Sequence, residues 1–300
     1  MMIRLLLSSL VAFAVAALAV WTTSKTAVKL GFVDPPGPLK IHRGPIPRLG
    51  GIGIFFGFLA GAALAIRPVH PEAWRVLPAL ILIWLSGLLD DLFQLSPLVR
   101  LTIQIVAGVI VALVYRPDLY AVDHVAALFY VLKTCFTIIV FTNAFNFLDG
   151  SDGLAAGGGA IAAVGFAIVM ARQMPEWSGI AAAIAAASCG FLLFNFPPAS
   201  IFMGDSGSTV VGFLLAVMAL RFDFSVRHTS LVPLIIVAIP LIDFGLAVLR
   251  RVSSGRSVFE GDRFHFYDLL LQKGWSPRSV ALCTYALAIG CVALALTIKD

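Results

Sequence analysis

Five aspartates carry the clearest chemical signal in this chain: Asp90 and Asp91, Asp149 and Asp152, and Asp205. Glycines flank them and let backbone and ligand come close. Carboxylate oxygens suit a hard divalent cation. Magnesium usually takes one or two carboxylates, keeps several waters and shares substrate phosphates. Asn143, Asn146, Asp149 and Asp152 recur every three residues in NAFNFLDGSDG. On a helix, neighbours in such a series lie near one face. Adjacent Asp90 and Asp91 would point about 100° apart on a helix, which favours a division of labour over a shared metal. Lys40, Arg43 and Arg48 precede Gly50-Gly51, and Arg256, Arg263 and His265 lie in a late loop. Beside a carboxylate-bound metal, such cations would suit a diphosphate.

Each of these residues also has a plain structural reading. Asp205, ahead of Ser206-Gly207-Ser208, could cap a helix, the other acids could sit in solvated turns, and the cations could anchor loops. His265 could be a loop contact or a cap. Five acids on one face are harder to explain that way. Asp243, three residues after Pro240, is expected to pair with an arginine at a helix break. Cys135, Cys189, Cys283 and Cys291 form no CxxC and are read as small core residues, not zinc ligands or a disulfide framework.

The elements that must position these groups are membrane helices. The chain has 300 residues, 60% hydrophobic and 12% charged, with net charge +5 and mean hydropathy +0.99. Soluble domains carry about 25% charged residues, so a soluble globule is excluded, and so is disorder. No basic run points to nucleic acid. A spanning helix needs about 20 apolar residues. Ten stretches qualify, near 3–22, 49–66, 75–93, 98–115, 127–147, 154–171, 178–195, 206–221, 230–250 and 279–298. The first reads as an uncleaved span and not a signal peptide. The runs are unbroken, unlike the alternating strands of a barrel. The expectation is one all-α, polytopic membrane domain over 1–300. Loops 23–48 and 250–278 are richest in Lys and Arg. The positive-inside rule then puts both loops in the cytoplasm and both termini outside. All five acids reach the cytoplasmic face.

Five ordered segments carry a resemblance: KIHRGPIPRLGG (40–51), GLLDDL (87–92), NAFNFLDGSDGLA (143–155), NFPPASIFMGDSGS (195–208) and GDRFHFYDLL (261–270). Together they resemble the polyprenyl-phosphate N-acetylhexosamine-1-phosphate transferase superfamily over a motif core of 40–270. The resemblance implies transfer of a sugar-1-phosphate from a UDP-N-acetylhexosamine to undecaprenyl or another polyprenyl phosphate, releasing UMP. It implies Mg2+ or Mn2+, a multi-pass location in the bacterial inner membrane, periplasmic termini, and a first step in cell-envelope glycan synthesis. By motif, Asp205 resembles the metal ligand, with Asn146 and Asp149 at the metal site. Asp90 resembles the base for the lipid phosphate, with Asp91 beside it. Asn143, Asn146, Asp149, Asp152, Lys40, Asn195, Arg263 and His265 resemble substrate-binding residues. Self-association as a homodimer stays open.

Many members carry further histidines after the position of His265. Here Tyr267 and Asp268 stand there. That departure favours the branch using simple UDP-N-acetylhexosamines, such as UDP-GlcNAc, over the phospho-MurNAc-pentapeptide branch. A secondary transporter is the main rival of another class, but transporters place acids near the bilayer midplane, whereas these acids fall at span ends. An intramembrane aspartyl protease lacks a second motif here, and a scaffold would not explain the acids.

Overall fold

A computed structural model describes residues 2–35, 44–66, 74–115, 123–225 and 231–299. Lys40, Arg43 and three of the five histidines, His42, His70 and His228, fall outside the described residues. Helix α1 spans Met2–Leu30, α2 Gly51–Ala65, α3 Leu77–Phe93, α4 Pro97–Tyr115, α5 His124–Leu148, α6 Leu154–Met170 and α7 Pro175–Asn195. Then come α8 (Asp205–Ser225), α9 (Leu231–Ile236), α10 (Ala238–Ser253), α11 (Phe266–Gln272) and α12 (Pro277–Lys299). Six of them, α1, α4, α5, α7, α8 and α12, are long and apolar enough to cross a membrane. The chain is a nearly all-helical, multi-pass membrane protein.

Central α8 explains the architecture. It packs against α3 and α5 and touches α2, α6, α7 and α9, and nearly all of its apolar length is buried. A helix apolar on all sides belongs in a core or a bilayer, and α8 has the core. Peripheral helices keep large apolar side chains outside: Leu10, Phe129, Phe136 and Leu287 are all exposed. Water would penalise that surface, whereas lipid would not. Gly53, Gly57 and Gly61 of α2, spaced by four, let it lie directly on Ala12, Ala16 and Val20 of α1. Such small-residue seams suit helices that gain nothing hydrophobic by leaving lipid.

Helix α10 inverts the soluble pattern. Asp243, Ala247 and Arg251, four apart, are buried, while Ile242, Leu246 and Leu249 are 60%, 56% and 64% exposed. The polar stripe faces protein and the apolar stripe faces outward. The break expected near Pro240 falls at Val237, between α9 and α10. Pro240 has no N–H to give the carbonyl four residues back, so the ladder fails at Ile236.

Three sequence expectations need correction. The first helix runs on to Leu30, well past residue 22. Within its polar end Thr22, Ser24 and Thr26 satisfy their hydroxyls on carbonyls one turn back, inside the helix. Lys25 also lies over the Trp21 ring at 3.6 Å. The cysteines are not all core residues. Cys135 is buried, but Cys189 is exposed and the other two are partly so, because apolar runs here face lipid as well as protein. The two long loops carry structure of their own. One holds α11, and the other holds a short ribbon in which β1 (Val33–Asp34) pairs antiparallel with β2 (Ile46–Pro47).

Candidate active site

The site is built around the N-terminus of α8, where Asp205 is the first helical residue. Its approach is clamped by the chain after β2. Phe202 N–H donates to the Pro47 carbonyl (2.9 Å), Gly50 N–H to Phe202 (3.0 Å) and Gly51 N–H to Met203 (2.9 Å). The glycine-bearing motif before α2 thus acts through its backbone, fixing the segment that delivers Asp205. From the other side α3 presses close. A Cβ on Gly87 would overlap the Asp205 carbonyl and Ser206 Cα. Neither is a flexible group that can move aside. Gly87→Ala is therefore expected to destabilise the protein by about 1–3 kcal/mol, read as a lower thermal midpoint in detergent. Gly290→Ala, which meets nothing within 4 Å, should leave the midpoint in place.

The paired aspartates at the end of α3 diverge as the helical angle requires. Asp91 turns to α8, where its two oxygens accept the N–H groups of Asp205 (2.7 Å) and Ser206 (3.1 Å). A helix begins with four unpaired N–H groups. Asp91 satisfies two of them from a different helix, with a charge that complements the helix dipole. Asp90 turns the other way. Arg100, in the first turn of α4, puts Nη1 3.2 Å from Asp90 Oδ2 and 2.8 Å from Asp205 Oδ2. One guanidinium therefore bridges the two acids.

Residues 143–152 bring their polar groups to the same place. Asn146 Nδ2 donates to Ser208 Oγ in the first turn of α8 (3.1 Å). Asn143 Nδ2 donates to Gln104 Oε1 (2.8 Å). Asn143 and Asn146 line a small crevice with Arg100 and Asp205. Asp149, just past α5, lies at the cavity wall. Its desolvation, then the carboxylates of Asp205, Asp91 and Asp152, push its pKa well above the usual range. Asp152 Oδ2 accepts the Ala199 N–H (2.9 Å). Asn195 is buried, accepting from Gly153 N–H and donating to the Ile201 carbonyl, each at 2.9 Å. These two side chains join the turn after α5 to the loop before α8.

The ends of α3, α5 and α7 and the starts of α6, α8 and α12 meet around a cavity of about 950 Å3. Asp91, Asp149, Asp152 and Asp205 line it, as do Asp34, Asp262 and Asp268. Arg48, Arg263 and Arg278 supply positive charge on the same surface. Arg48 is paired with Asp34. Arg278 Nε donates to the Pro197 carbonyl (2.7 Å). Of the expected site residues, Asp91, Asp149, Asp152, Asp205, Asn195 and Arg263 line this one cavity, while Asp90, Asn143 and Asn146 stand close behind Asp205. Lys40 lies outside the described residues.

His265 is absent from the cavity wall and is 5% exposed. Asp243 pairs with it, not with an arginine: the distance from His265 Nδ1 to Asp243 Oδ2 is 2.6 Å. The arginines of α10 instead hold Asp262. Burial raises the Asp262 pKa, but the Arg250 fork at 2.8–3.1 Å and nearby Arg251 prevail and keep it low. Sequence reasoning missed Arg100 as a site residue because only its position in the fold, ten residues past Asp90, brings it back. Arg278 and Tyr267 were missed for the same reason.

Among the described residues no three His, Cys, Asp or Glu side chains converge tightly enough to cage a metal. The donor set still fits magnesium, which asks for one or two carboxylates and completes its shell with water and phosphate. Asp205 and Asp149 on one wall are such a pair.

Apolar helices whose ends converge on a cavity of carboxylates and arginines define a membrane-embedded enzyme for a charged substrate. Residues 73–223 match the sequence profile of glycosyl transferase family 4, and the chain belongs to that family. It is 30% identical over 297 residues to a probable undecaprenyl-phosphate N-acetylglucosaminyl 1-phosphate transferase of Bacillus subtilis (strain 168), covering 95% of this chain and 82% of that one. A decaprenyl-phosphate N-acetylglucosaminephosphotransferase of Mycobacterium tuberculosis (strain ATCC 25618 / H37Rv) is 32% identical, covering 89% of this chain and 75% of the relative. An undecaprenyl-phosphate alpha-N-acetylglucosaminyl 1-phosphate transferase of Escherichia coli (strain K12) is 30% identical, covering 88% and 76%.

Proposed function

We propose that the protein transfers an N-acetylhexosamine-1-phosphate, GlcNAc or a derivative, from a UDP-sugar to undecaprenyl phosphate. The acceptor phosphate oxygen bonds to the sugar-linked phosphorus as that phosphorus parts from the UMP oxygen. UMP leaves, and a polyprenyl-diphosphate-linked sugar remains. The observation that carries this reading is a cavity lined both by Asp91, Asp149, Asp152 and Asp205 and by Arg48, Arg263 and Arg278. A nucleoside diphosphate sugar needs this combination, and sites for such ligands commonly enclose about 300–1,000 Å3.

Phosphoryl transfer depends on positioning and charge neutralisation more than on covalent chemistry. Magnesium or manganese, held by Asp205 with Asp149 and Asn146, would neutralise the phosphates. Asp90 accepts any proton left on the lipid phosphate, while Arg100 holds it beside Asp205. Arg263 and Arg278 receive the nucleotide's negative charge. The ten-span reading, with periplasmic termini and a cytoplasmic site in the bacterial inner membrane, lets the lipid phosphate come from the bilayer edge. The UDP-sugar arrives from the cytoplasm.

The test is UMP release by purified protein with undecaprenyl phosphate, magnesium and a panel of UDP-N-acetylhexosamines, UDP-GlcNAc first. Chelation should silence the reaction and either Mg2+ or Mn2+ should restore it. Release that ignores chelation, or silence across a panel including the muramyl-pentapeptide nucleotide, would refute the reading.

A further inference from the structure

A buried polar chain, which the transfer chemistry does not use, runs from inside the protein to the arginine-bearing side of the cavity, where Asp262 and Tyr267 reach its lining. It begins at Asp243 in α10. Asp243 Oδ2 faces His265 Nδ1 at 2.6 Å, and Oδ1 accepts the Phe266 N–H at 3.0 Å, so one carboxylate anchors the start of α11 twice. The other ring nitrogen, Nε2, is 3.7 Å from Asp262 Oδ1. Both histidine nitrogens therefore face carboxylates, and the ring meets the edge of Phe147 (centroids 5.5 Å apart). Arg251, only 4% exposed, closes the cluster over the Phe147 ring and donates to the Val258 carbonyl at 2.8 Å.

His265 then stacks on Tyr267. The rings are 5.3 Å apart and 3° from parallel. Tyr267 is itself 4% exposed, and its hydroxyl donates to the Phe147 carbonyl at 3.0 Å, across 120 residues. That carbonyl belongs to the last turn of α5, between Asn146 and Asp149. Gly150 completes the fit, since a Cβ there would collide with the Tyr267 hydroxyl. Burial first, then the carboxylates of Asp268 and Asp243, push the Tyr267 pKa up, so the hydroxyl keeps the proton it donates.

We propose that Tyr267 is a positioning residue: aligned by the Asp243–His265 pair, its hydroxyl holds the Phe147 carbonyl and so sets the turn that carries Asp149. Partners that orient a site's ligating groups without touching substrate typically cost about 10–100-fold in affinity or activity when removed.

The kinetic arm rests on the transferase reading above, and a second arm does not. Tyr267→Phe keeps the ring and its stack while removing the hydroxyl. Its kcat for UMP release should fall about 10–100-fold with KM for UDP-GlcNAc within about twofold of wild type. Gly150→Ala should reproduce the loss, and should cost less in the Tyr267→Phe background, because the two changes break one contact. Independently, backbone amide hydrogen exchange at residues 147–152 should quicken in Tyr267→Phe, whether or not turnover is measured. Unchanged exchange overturns the proposal even if no donor is turned over. A raised KM with unchanged kcat also overturns it, since that would make Tyr267 a direct substrate contact. Turnover in wild type with unchanged exchange and kcat in the variant rejects the positioning role alone and leaves the transferase reading standing.

Discussion

Asp205→Asn is expected to lower UMP release by about three orders of magnitude, equivalent to about 4 kcal/mol of lost transition-state stabilisation, with the thermal midpoint unchanged. The geometry separates the two readouts. Asp205's main chain is held by other groups: its N–H by Asp91, its carbonyl by Thr209 Oγ1 at 2.5 Å. Its side chain pairs with Arg100 beside Asp90. Asparagine keeps the shape and these backbone bonds but loses the charge. A divalent cation and a diphosphate depend on that charge for several kcal/mol. Asp90→Asn should act in the same direction, because Arg100 ties the two acids into one unit. Substitutions within one unit do not add. The double variant should therefore be hardly worse than either single one. Full activity in either single variant would remove these acids from the mechanism.

Much of the site was legible because its acids fall where apolar helices end. A charge inside a span is costly, so Asp149, Asp152 and Asp205 had to sit at helix ends, and alternating span directions put those ends on one face. The divergence of Asp90 from Asp91 was likewise legible from helix geometry alone. What the sequence hid was every contact made by packing over long separations. Asp91 meets residues 114 and 115 positions away. Tyr267 meets one 120 away, and nothing local in either stretch signals it. Asp243 was expected to find an arginine because α10 carries two. Yet Arg250 and Arg251, at its far end, reach Asp262, leaving Asp243 to His265. The end of α1 was misjudged for a different reason. Hydropathy reports where lipid stops, while the backbone ladder decides where a helix stops, and Thr22, Ser24 and Thr26 fit within that ladder by turning their hydroxyls onto its carbonyls.

Asp91→Ala should lose stability and activity together, where Asp90→Ala loses activity alone. Removing the Asp91 carboxylate leaves the N–H groups of Asp205 and Ser206 without their acceptor. Ser206 is fully buried. An unsatisfied buried donor costs about 1–3 kcal/mol, so the thermal midpoint should drop. The same loss frees the first turn of α8, and a shift of about 1 Å in a reacting group can cost 10²-fold, so kcat should fall by about that factor. Asp91→Asn retains one carbonyl oxygen, enough for one of the two N–H groups, and should lie between alanine and wild type in both readouts. Asp90 holds no N–H of α8: its ion pair is with the part-exposed Arg100, and exposed ion pairs contribute about 0–1 kcal/mol. The two neighbours therefore separate in a plot of activity against thermal midpoint, Asp91 variants along the diagonal and Asp90 variants straight down. An Asp91→Ala protein that is inactive with an unshifted midpoint would break this pattern. It would mean that Asp91 acts on the substrate itself, and that the hold on α8 comes from Gly50, Gly51 and the segment they clamp.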